Sequence, residues 1–167
     1  EILQFAQDGD FITGDAAGRM EKADYMPQYA AGLRRRICDA LGTTEQEQPL
    51  TGMHIVVDAG NGAGGFYASQ VLKPLGADVS GSQFLEPDGR FPNHIPNPEN
   101  EDAMASVCSA VLEAKADLGI IFDTDVDRAG CVDAAGREIN RNRLVALASA
   151  IVLEQYPGGT VVTDSIT

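Results

Sequence analysis

The chain has 167 residues, 44% of them hydrophobic and 22% charged, with a formal net charge of −13. This is length for one domain with a core of its own, and no apolar run approaches the ~20 residues that cross a bilayer. The negative charge argues against nucleic acid or an anionic membrane surface as a partner, and it makes any anionic ligand depend on a cation or a local basic group.

Residues 1–21 show no sustained period and carry Gly9, Gly14 and Gly18, so they read as a linker, the residual tail of a preceding domain. From 22 to 41 the apolar residues Tyr25, Met26, Tyr29, Leu33, Ile37 and Leu41 fall at helical spacing, with Arg34, Arg35 and Arg36 expected on the solvated face. A polar loop over 42–52, punctuated by Pro49 and Gly52, leads to an alternating pattern. A strand is predicted over 53–59, a helix over 64–76, a second strand over 77–86 and a proline-rich loop over 87–100. A helix follows over 101–115 with Met104, Val107, Val111 and Leu112 inward, then a third strand over 117–123. Residues 129–139 read as a hairpin turning near Ala135–Gly136, Asn142 as the cap of a helix running to about Tyr156, and 160–164 as a last strand.

Strands separated by helices of this length predict βαβ units: an α/β/α three-layer domain over 22–167, its mostly parallel sheet sandwiched by helices. Ligands in such sheets meet the carboxyl ends of the strands. The chain begins without Met and closes on "TVVTDSIT", which reads as a strand cut short. A fragment of a longer multidomain protein is therefore the expectation. Cys38, Cys108 and Cys131 are odd in number and lack zinc-like spacing, so reduced thiols in a cytoplasmic protein are expected.

"VVDAGNGAGG" holds Gly60, Gly62 and Gly65 in a formal dinucleotide-binding spacing, with Glu86 placed as the ribose-binding acid. Asp58 and Ala59 intervene between strand and first glycine, and Asp58 would set a carboxylate beside a pyrophosphate. A tight turn needing φ > 0 at Gly60, with Asn61 also tolerant of it, is the preferred reading. A non-catalytic nucleotide-binding module stays as an alternative.

The densest chemistry lies in "DLGIIFDTDVDRAG", where Asp123, Asp125 and Asp127 alternate at a strand end and Arg128 follows. Two bare carboxylates ~4 Å apart repel by ~4 kcal/mol at an effective dielectric near 20, and one arginine does not balance three of them. Oxygen-only ligation at positions 1, 3 and 5 of a turning loop suits Mg²⁺, Mn²⁺ or Ca²⁺. The loop is not an EF-hand, since Arg128 and Ala134 stand where that motif requires glycine and glutamate. A second reading makes Asp123 the nucleophile of a haloacid-dehalogenase-like aspartyl phosphatase. That family needs a later lysine, and none follows Lys115. A third reading is a polar strand end facing solvent.

The sequence resembles the α-D-phosphohexomutases, the family of phosphoglucomutase and phosphomannomutase. Asp123-Thr124-Asp125-Val126-Asp127-Arg128 matches the charged positions of that family's metal loop. "IVVDAGNGAGG" (55–65) and "EPDGRFPNHIPNPEN" (86–100) match two further stretches of its second domain in the right order. The resemblance covers about 22–167. It implies phosphoryl transfer on hexose phosphates through a phosphoserine, with Asp123, Asp125 and Asp127 holding Mg²⁺ and Arg128 facing the phosphoryl group. Thr124 and Val126 replace two usual glycines, and the family's Ser-His-Asn-Pro-like motif is absent from these residues. The chain alone is thus expected to be inactive, with other domains of the same protein as its partners. His94 is expected to pack in its loop near the metal loop rather than to act as a base.

Overall fold

A computed structural model describes residues 1–12, 14 and 18–163. The expected linker over 1–21 contains a short helix, α1 (Ile2–Asp8), ending at Gly9 with φ 65° and exposed along its whole length. The amphipathic segment forms α2 (Met26–Leu41), opened by Pro27 and closed by Gly42 in the left-handed conformation. Its burial is thinner than the spacing suggests: Ala30 and Cys38 are buried, whereas Tyr25, Tyr29 and Leu41 stay exposed. Arg34 corrects the expectation of a wholly solvated arginine face. Its Nε donates to Glu45 at 2.8 Å and its Nη1 to the Gln70 carbonyl at 2.6 Å, clasping α2 onto the segment that follows β1.

Strands β1 (Ile55–Asp58), β2 (Leu118–Phe122), β3 (Ala129–Asp133) and β4 (Glu138–Ile139) form one sheet in that order. β1 and β2 are parallel, with Ile55 beside Leu118 and Asp58 beside Ile121; β2–β3 and β3–β4 are antiparallel. The sheet is therefore mixed, and the hairpin after the acidic loop lies where it was expected. The predicted strand over 77–86 is reduced to two isolated parallel bridges, His54 with Asp78 and Asp58 with Gln83. Gly81, at φ 80°, breaks the run between them, and the Ser82 hydroxyl takes the Val57 N–H that a strand carbonyl would otherwise accept.

Side-chain alternation sends the strands' residues to two cores. Val56, Ile121 and Val132 pack against α3 (Glu101–Ala114), whose Ala103, Met104, Val107, Ala110 and Val111 are buried. Ile55, Val57 and Phe122 pack on the other face against Ala68, Leu72 and Ala77. The helix expected over 64–76 is there a relay of 3₁₀ (Ala63–Gly65), π (Tyr67–Leu72) and 3₁₀ (Lys73–Leu75) turns, with Pro74 supplying no N–H to a regular ladder. Asn100 caps α3 through its side chain. Leu112, expected inward, is 54% exposed and lies under the hairpin turn, where a Cβ on Gly136 would come within 2.6 Å of its Cγ.

Helix α4 (Arg141–Gln155) is capped by Asn140, not Asn142: the Asn140 side chain accepts from the Asn142 N–H. None of its described side chains is buried. Of the expected last strand, residues 160–163 are in no strand, and Asp164 lies outside the described residues. Because β1 and β2 are parallel, Asp58 and Asp123 leave the sheet at the same edge.

Candidate metal centre

The loop from Asp123 to Arg128 is closed at its base by its own ends. Asp123, 1% exposed, accepts the Arg128 N–H on Oδ1 at 3.0 Å and the Arg128 Nε–H on Oδ2 at 3.1 Å, while the Arg128 carbonyl accepts the Asp123 N–H at 3.2 Å. Asp125 and Asp127 are exposed above this clasp. One oxygen from each of the three carboxylates can be chosen so that all lie within 4.8 Å of one another. Of the two residues standing where glycine is usual in the resembled loop, Val126 alone takes the left-handed conformation, at φ 68°. Its side chain packs against the core face that holds Phe122.

The electrostatics follow from crowding. Burial presses the Asp123 carboxyl upward, but the Arg128 N–H, the Asp127 side chain and the Arg128 guanidinium outweigh it and hold Asp123 below the usual range. Asp127 moves the other way: its hydrogen bond to Asp123, then the charges of Asp123 and Asp125, push it up. Crowding thus makes Asp127 the carboxyl of the pair that gives up its proton less readily. A divalent cation relieves that crowding, and an all-oxygen donor set suits a hard one.

The glycine-rich turn is the floor of this loop. Gly60 and Asn61 take φ 53° and 61°, as the sequence suggested. A Cβ on Gly62 would lie 2.7 Å from the Thr124 carbonyl, which accepts the Ala63 N–H at 2.9 Å. A Cβ on Gly65 would lie 1.8 Å from the Leu85 carbonyl. Close backbone approach, not a pyrophosphate, is what these glycines serve.

Two residues that sequence reasoning gave no site role complete the surroundings. Asp58 is fully buried and accepts from the Gly60 N–H at 2.9 Å and the Gln83 side chain at 2.8 Å. His94 faces it, with Nε2 3.1 Å from both carboxylate oxygens and Nδ1 3.0 Å from the Ile95 carbonyl. Both ring nitrogens are engaged and the side chain is 5% exposed, a setting that suits the packing expected of His94 in its loop. Asn97 accepts from Arg128 Nη1 at 3.2 Å. Its only sequence signal was its place in the proline-rich loop. On the far side of Arg128 a cavity of about 440 Å³ opens between Met104, Glu101, Glu138 and Ile139.

The family model described as phosphoglucomutase/phosphomannomutase, alpha/beta/alpha domain II, matches residues 27–136. A phosphoglucomutase of Neisseria gonorrhoeae is 32% identical over 164 residues, covering 98% of this chain and 33% of that protein. A phosphomannomutase/phosphoglucomutase of Pseudomonas syringae pv. tomato is 42% identical over 112 residues, covering 67% of this chain and 24% of that protein. The crystal structure of a phosphoglucomutase/phosphomannomutase family protein from Burkholderia thailandensis superposes with a TM-score of 0.75 at 32% identity, covering 94% of this chain and 31% of that one. The chain spans about a quarter to a third of the length of these relatives. The aspartyl phosphatase and nucleotide-binding readings are not favoured. No lysine follows Lys115, and the Thr124 carbonyl closes over the glycine turn.

Proposed function

Because the chain belongs to the phosphoglucomutase/phosphomannomutase family, we propose that it carries the metal centre of a cytoplasmic phosphohexomutase. The reaction is reversible phosphoryl transfer on a hexose phosphate through a phosphoserine carried by another domain of the same protein. Asp123, Asp125 and Asp127 hold Mg²⁺, and Arg128 contacts the phosphoryl group. The observation that carries the reading is the convergence of three carboxylate oxygens within 4.8 Å, beside a half-exposed guanidinium. When bound, Mg²⁺ acts as a Lewis acid, drawing charge from the phosphoryl oxygens. Arg128 adds a planar fork of donors suited to the same oxygens. Asp123 serves twice, as a ligand and as the acceptor that closes the loop, whereas Asp125 stands outside that clasp.

This division makes the test. Mg²⁺ at millimolar concentration should raise the Tm of the chain, since a ligand that binds only the folded state adds stability. Asp125→Asn should remove that rise and leave the Mg²⁺-free stability within about 0.5 kcal/mol of wild type, as expected for an exposed substitution. A Tm that ignores Mg²⁺, or a rise that survives Asp125→Asn, would overturn the assignment. The chain by itself should not interconvert glucose 1-phosphate, and measurable turnover would contradict the need for a second domain.

A further inference from the structure

We propose that Asn97 is a positioning residue that fixes the plane of the Arg128 guanidinium. The inference rests on the reading above only for the task assigned to Arg128. One edge of the guanidinium is anchored by the loop itself, with Nε and Nη2 each 3.1 Å from Asp123 Oδ2. A guanidinium held at that edge alone swings about its own Nε. The other edge is met by Asn97 Oδ1, 3.2 Å from Nη1. Asp127 and Glu99 lie farther off, at 3.6 and 4.0 Å.

Asn97 is itself preset. Its Oδ1 also accepts the Glu99 N–H at 3.0 Å, so the amide oxygen must face these two donors and its nitrogen away from them. Its backbone is tied on both sides, the N–H to the Ile95 carbonyl at 2.8 Å and the carbonyl to the Asn100 N–H at 2.9 Å, directly before the cap of α3. The stretch before it is pinned to the end of β1. Asn93 donates to Asn61 at 2.7 Å, His94 faces Asp58, and Pro96 lies so close over Gly60 that a Cβ there would come within 2.8 Å. The glycine turn, the buried Asp58–His94 pair and Asn97 thus form one chain of contacts ending on Arg128. A neutral acceptor suits this place. It orients the cation without adding a further negative charge to those of Asp123, Asp127 and Glu99.

The experiment reads Arg128 directly, as the exchange with water of its Nη1 hydrogens, the ones that face Asn97, in ¹⁵N-labelled full chain. Losing a hydrogen bond to a charged group should speed that exchange about tenfold in Asn97→Ala, with the Mg²⁺-dependent rise in Tm retained. Asn97→Asp keeps an acceptor and should restore slow exchange. Should alanine lower the Tm, Asn97→Ser keeps an acceptor for the Glu99 N–H while withdrawing from Arg128, and it should also exchange fast. Unchanged exchange in Asn97→Ala and Asn97→Ser, or equal acceleration in Asn97→Asp, would overturn the proposal. Loss of the Mg²⁺ response in wild type would instead refute the metal assignment and leave the Arg128 measurement intact.

Discussion

Val126 and Thr124 occupy corresponding places in the acidic loop and face opposite demands. Val126 sits at φ 68°, where an L side chain costs ~1–2 kcal/mol against its own backbone, while Thr124 is outside the left-handed region. Glycine relieves the first and only loosens the second, where the entropic cost is ~0.5–1 kcal/mol. Part of the gain at 126 is offset by lost packing, because the valine side chain lies against the face that holds Phe122. Val126→Gly should therefore be more stable than Thr124→Gly by about 1 kcal/mol or less. Urea midpoints at equal slope measure this, and equal midpoints would show that the loop relaxes around Val126 without strain.

At the scale of elements, legibility followed how local each signal was. β1, β2, the hairpin and α3 carry their own periodicity and turn residues, and they formed where the pattern put them. The acidic loop was legible because three carboxylates in five residues create a problem that only a cation or protons solve. The strand over 77–86 was not, since a single Gly81 turn replaced its ladder by two bridges and a serine hydroxyl. Arg34 was invisible for another reason: its partners Glu45 and Gln70 are 11 and 36 positions away. Asp58, His94 and Asn97 were in view as residues, but their roles arise only when the proline-rich loop folds onto the end of β1. Helix α4 differs from all of these. Leu147, Ile151 and Val152 are 58%, 52% and 51% exposed, so its apolar side chains add little to either core. Leu147→Lys with Ile151→Lys should leave the free energy of the sheet's unfolding in urea within about 0.5 kcal/mol of wild type. A larger loss would mean that α4 packs on the sheet in solution.

The whole molecule answers to pH through its carboxylates. Among the described residues, five lie below their ordinary range. Asp133 is held down by the Arg137 N–H and then its side chain, Asp88 by the Arg90 side chain, Asp78 by the Ser80 N–H and Glu47 by the Thr43 hydroxyl, while in Asp123 the hydrogen bonds overcome burial. A carboxyl depressed in the folded state binds its proton more readily when unfolded. Its contribution is therefore complete above the unfolded value, near 4, and is lost as pH falls through the folded one. Asp127, raised, has the opposite sign: what it contributes is present in acid and lost as pH rises through its folded value. With five groups against one, the Tm should fall once the pH drops below about 4. Asp133→Asn isolates one member on the hairpin, away from the acidic loop. The variant cannot respond to protons at that position, so it should melt below wild type at pH 7. The gap should close as the pH falls below about 4, where the wild-type carboxyl has lost its charge too. Calorimetry of the two proteins from pH 7 to 3 decides it: a gap that persists unchanged into acid would mean that Asp133 steadies the turn by shape, with its charge playing no part.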